Sequence, residues 1–145
     1  MEGKRTKEGE KKLMRRILCS TGAIIAKANN RDYSLLAGIM PHLRCDGLEF
    51  MMYQSWHGGH EEGLLRALAP YDVPVFHMTK QIGEYISQGD IAAATTLFRA
   101  DCQLAAAIHA KLLVLHLWSG RASDQHIERN IAAYPVLRDV AEEHG

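Results

Sequence analysis

The sequence predicts an α/β protein built from four βα units with parallel strands. Two observations carry that prediction. Four short apolar runs recur, near residues 16–22, 47–53, 73–78 and 111–118. The segments between them place apolar residues at helical spacing. Strands that alternate with helices are joined by crossovers, and crossovers imply a parallel sheet.

The first run, Ile17 to Ile25, is rich in β-branched residues and reads as a buried strand over 16–22. Asp32 can cap a helix through YSLLAGIMPHL, whose end Pro41 complicates. Cys45-Asp46-Gly47 marks a turn into the second strand. HGGHEEGLLRALAP follows as loop and helix, with Glu61 and Glu62 at the positive helix end and Pro70 closing it. The third strand is Val73 to Met78, with its proline near the start, where a missing N–H is tolerated. Gly89-Asp90 opens the longest helix, IAAATTLFRADCQLAAAIHA, which leads to the fourth strand, KLLVLHLW. Ser123 or Asp124 then caps a last helix, which Pro135 is expected to kink or break. The order reads β-α-β-α-β-α-β-α. Flavodoxin-like sheets and (β/α)8 barrels both begin this way, and both bind ligands at the C-terminal strand ends.

Composition bounds the function. The chain has 145 residues, 47% hydrophobic and 23% charged, which fits one folded domain and excludes wholesale disorder. No apolar run is long enough to predict a membrane-spanning helix, and the charged N-terminus does not read as a secretory signal. Three cysteines without CxxC spacing point to a reducing compartment, the cytoplasm. Residues 1–16 carry seven basic and three acidic side chains, so 1–15 reads as a basic flexible tail on a mildly acidic body, 16–145. The tail lacks interleaved aromatics, which favours a solvated terminus over a nucleic-acid arm.

The informative residues lie at the strand ends. Glu49 sits in the second strand, His77 in the third and His116 in the fourth, with Trp118 just beyond. A histidine in a buried strand must be hydrogen-bonded or ligated. Two at equivalent depth in neighbouring strands indicate a binding role. Trp118 reads as a pocket wall. His57 and His60 flank Gly58-Gly59 and read as loop residues before a helix, although a shared metal is the alternative. His42, His126 and His144 read as surface or capping residues, and Cys102 as core. No P-loop, GxGxxG, HExxH or GxSxG is present.

Taken in order, Asp46-Gly47-Leu48-Glu49, the strand bearing His77, the long alanine-rich helix and Leu113-Val114-Leu115-His116 resemble the sugar phosphate isomerase/epimerase family. That family belongs to the xylose isomerase-like TIM barrels, which include apurinic/apyrimidinic endonucleases of the endonuclease IV type. The resemblance covers nearly all of the chain after the tail and implies the N-terminal half of a (β/α)8 barrel. It implies metal-assisted proton transfer between adjacent carbons of a sugar or sugar phosphate, with a divalent ion (Mn, Mg, Co or Zn). It places Glu49, His77, His116 and Trp118 against substrate, or His77 and His116 on the metal. The carboxylates expected on strands five to eight are missing, so the chain alone is expected to have little or no turnover. A homodimer, or another chain completing the barrel, is the expected partner. A non-catalytic assembly module is the alternative function. An endonuclease ranks behind both, because the acidic body disfavours nucleic acid.

Overall fold

The computed structural model describes residues 15–117 and 123–145. Four strands form one sheet: β1 (Leu18–Ser20), β2 (Gly47–Met51), β3 (Val75–His77) and β4 (Leu112–Val114). Their order is β1-β2-β3-β4 and every pairing is parallel. Doubly wound sheets reverse direction at a switch point. These four strands instead advance one place at a time, as barrel strands do.

That order controls the two faces. Right-handed crossovers that always advance the same way place every connecting helix on one side. Burial follows the two-residue alternation of a strand. Leu48, Phe50, Met52, Phe76 and Met78 are fully buried. Leu113 and Leu115 continue this side and pack against the same core. Glu49, Met51, Val75, His77 and Val114 take the opposite parity and stay only half-buried. One face is therefore core and the other is open among the described residues.

The helices are α1 (Leu36–Ile39), α2 (Glu61–Leu68), α3 (Gln81–Gln88), α4 (Ile91–Ala107) and α5 (Ile127–Glu142). Asp90 caps α4 as expected, accepting from the Ala93 N–H at 3.0 Å. Asp32 accepts from the Ser34 N–H at 2.9 Å, but it opens a 3-10 turn. The first crossover is mostly 3-10 turns with the four-residue α1 among them, because Pro41 enters the last such turn.

Three further expectations change. The third crossover holds two helices, since α3 precedes Gly89, whose φ of 83° suits the left-handed C-cap between α3 and α4. The last helix has His126 at its N-cap, because a 3-10 turn occupies 123–126. Pro135 does not break α5, which runs unbroken past it. The residue is exposed, so the Ile131 carbonyl that loses its donor can turn to water.

The core is centred on aromatic contacts. Phe50 stacks on Trp56 at 5.8 Å and tilts against Phe76 at 5.5 Å. Gly47 is required where β2 begins. A Cβ there would lie 2.8 Å from the Asp72 carbonyl oxygen, which accepts the Leu48 N–H. Cys102 is core, and burial together with the neighbouring Asp101 charge pushes its thiol up to about 11. Phe76 lies at the sheet centre, so Phe76→Ala is expected to cost about 3–5 kcal/mol. Urea unfolding midpoints of the two proteins measure that loss.

Candidate functional site

The open face carries one polar row at the C-terminal strand ends. Register pairs Ser20 with Glu49, and Met51 with His77, so all four side chains project to that face. The Ser20 hydroxyl reaches Glu49 Oε1 at a long 3.5 Å. Glu49 Oε1 lies 2.8 Å from His77 Nδ1. A carboxylate accepts, so the Nδ1–H donates to Glu49 and Nε2 stays outside this contact. Glu49 thus points toward His77 and away from the helices. His116, two residues past Val114 and of the same parity, stacks on His77 with ring centroids 4.8 Å apart and planes 16° from parallel. Trp118, the fourth sequence-predicted residue, lies outside the described residues.

Two cations, Lys80 and Arg31, lie beside the row. Burial, then His77, then Lys80 hold the His116 imidazole below its ordinary 6.5, so it is neutral at pH 7. Lys80 and Arg31 line a groove of about 760 Å³ beside both histidines. The Arg31 guanidinium lies 4.7 Å over the Tyr53 ring, and its Nη1 donates to Ser55 Oγ at 3.3 Å. Its backbone has φ 54°, held by a tight turn in which the Arg31 N–H donates to the Ala26 carbonyl at 2.9 Å. Arg31 is a site residue that sequence reasoning missed, because only the turn brings it over the strand ends.

The donor set partly suits a divalent metal. Two imidazoles meet at one rim, and a carboxylate orients one of them, as metal-ligating histidines commonly require. No group of three or more ligating side chains is present among the described residues. His57 and His60 do not converge on an ion. His57 Nε2 lies 2.9 Å from Asp101 Oδ1, whereas His60 Nδ1 lies 3.2 Å from the Tyr33 hydroxyl. Gly58 and Gly59 donate their N–H groups to Glu61 at 2.6 and 2.8 Å, which leaves no phosphate cradle there.

Asp101 is the second residue that the sequence concealed, since it reads as one polar position on an alanine-rich helix. It is fully buried. Its carboxylate accepts from the Thr79 N–H at 2.6 Å and from the Thr79 hydroxyl at 3.0 Å, while contacting His57. This ties the loops after β2 and β3 to α4 and fixes the rim from behind. Thr79 is itself buried, so the trio positions loops and does not present a nucleophile.

Comparison with protein-family models, with curated proteins and with solved structures returns no match. No helix among the described residues is long and apolar enough to cross a membrane.

Two measurements follow from this geometry. Because the folded value of His116 lies below the unfolded one, the unfolded chain takes up that proton more readily. This residue's contribution to stability is intact above about pH 6.5 and is lost as pH falls through 6.5 toward the folded value. Proton NMR titration is expected to give a His116 midpoint below 6.5 that rises in Lys80→Met. Asp101→Ala strands a buried N–H and hydroxyl and is expected to cost on the order of 3 kcal/mol, read by chemical denaturation.

Proposed function

We propose that the open strand-end face binds a sugar or sugar phosphate, and that the chain is the N-terminal half of an isomerase- or epimerase-type (β/α)8 barrel. The observation that carries this reading is the Ser20, Glu49, His77 and His116 row on consecutive parallel strands, beside a groove with two cations on its walls. Ligands of barrel proteins sit at this end. Hydroxyl-rich ligands need convergent donors and acceptors, and the row and the groove supply both kinds.

The residues suit proton movement. His116, held neutral near pH 7, has a lone pair free to accept a proton from a carbon or hydroxyl beside a carbonyl. Glu49 accepts the His77 Nδ1–H, so a proton taken up at His77 Nε2 would leave an imidazolium beside a carboxylate. Arg31 and Lys80 suit an anionic group at the groove end, a phosphate above all. A divalent ion on His77 and His116 would polarise a carbonyl and its neighbouring hydroxyl. These described residues provide only part of a coordination shell. Binding with little turnover is therefore the behaviour expected of the 145-residue chain.

Isothermal titration calorimetry tests the reading against free and phosphorylated pentoses and hexoses, with and without Mn2+ or Zn2+. A phosphorylated sugar is expected to bind, with Lys80→Ala or Arg31→Ala weakening it roughly tenfold, about 1.4 kcal/mol. His116→Ala is expected to weaken free and phosphorylated ligands alike. Absence of binding across the panel, or affinity untouched by His116→Ala, would sink the proposal.

A further inference from the structure

The sheet ends in two free parallel edges, β1 on one side and β4 on the other, among the described residues. Unpaired edges present rows of N–H and C=O groups ready to accept another strand. The β4 edge is also furnished on its helix side. A groove of about 680 Å³ runs between β4 and α5, lined by Val114, Leu117, Ile127, Asn130, Ile131 and Tyr134 among others. Ile127, Ile131 and Tyr134 follow helical spacing and are more than half exposed. The Asn130 amide is buried against this groove, and neither its nitrogen nor its oxygen has a hydrogen-bond partner among the described residues.

We propose that the groove and the β4 edge are filled by β1 of a second copy of this chain, while its own β1 receives the partner's β4. Four arguments select this occupant. Both edges are three-residue strands of the same polarity, so β4 and the partner's β1 pair in parallel, as every other junction in the sheet does. Ile17, 69% exposed just before β1, shares the helix-side parity of Cys19, the side on which α5 waits. Charges match as well. Residues 15–46, around β1, hold five basic and two acidic side chains, whereas α5 and the residues after it, 127–145, hold two basic and four acidic. Finally, a two-fold axis along the strand direction makes both junctions at once. It closes eight strands into a barrel and leaves no edge. The open face then becomes the interior, and the Glu49–His77–His116 rows of both copies share one rim. This inference rests on the edges, the groove and the charges, and not on the sugar reading.

Light scattering on size-exclusion chromatography of the 145-residue protein tests it. The expected mass is about 32 kDa, twice the 16.2 kDa chain, with dissociation favoured by added salt. Leu112→Lys blocks the β4 edge and Ile17→Lys blocks the β1 edge. Both positions are exposed in the monomer, so far-UV circular dichroism is expected to stay unchanged while each variant elutes as a monomer. Mixing the two variants is expected to restore a dimer, because one of its two junctions is then free of both lysines. A wild-type monomer overturns the proposal. So does a dimer unaffected by Ile17→Lys, which would mean pairing of β4 with β4, and so does mass growing past the dimer with concentration, which would mean open head-to-tail chains.

Discussion

Each strand of the sheet hydrogen-bonds to the next strand in sequence, and crossovers between parallel neighbours are right-handed as a general rule. Those two facts together put the connecting helices on one side. The rest of the structure depends on that one-sidedness. The helix side is packed by Phe50, Phe76 and Trp56 with their aliphatic neighbours. Among the described residues the other side has no helix to meet it, so it can hold Glu49 and two histidines at the strand ends without burying them completely. A doubly wound sheet of the same strands would have covered both faces, and the row would then have needed a fully satisfied polar core.

The same geometry explains why the rim is firm although it is built from short strands. Backbone pairing continues past the strand ends, with the Met52 N–H donating to the His77 carbonyl at 2.8 Å and the Met78 N–H to the Val114 carbonyl at 2.9 Å. The Met51 N–H is taken by the buried Thr21 hydroxyl at 2.8 Å, and the Tyr53 hydroxyl donates to the Ile25 carbonyl at 2.7 Å. Asp101 then holds the loops after β2 and β3 from the helix layer. The carboxylate is costly to bury, and three contacts offset that cost.

Much of the architecture was legible because its signals are local. Apolar runs bounded by Asp, Gly and Pro located all four strands, and Asp90 marked the start of α4. Where local signals compete, reading failed. Pro41 enters the last of the 3-10 turns that, with the four-residue α1, stand where a longer helix was expected. Helix α3 escaped notice because its eight residues, QIGEYISQ, end at a glycine that reads as the start of the next helix. Pro135 leaves α5 unbroken because the cost of a proline depends on whether the freed carbonyl meets water, and sequence alone does not give that exposure.

By itself, the sequence determined the α/β class, the parallel strands, and the presence of Glu49 and His77 in two of them with His116 just past a third, since a two-residue period fixes which positions share a face. It left open which face that was. Tertiary structure decided it through strand order, a long-range property set by how crossovers pack and not by any local run. Tertiary structure also recruited Arg31 and Asp101, which lie 46 and 24 residues from His77 in sequence. Their roles come from where a turn and a helix come to rest against the strand ends.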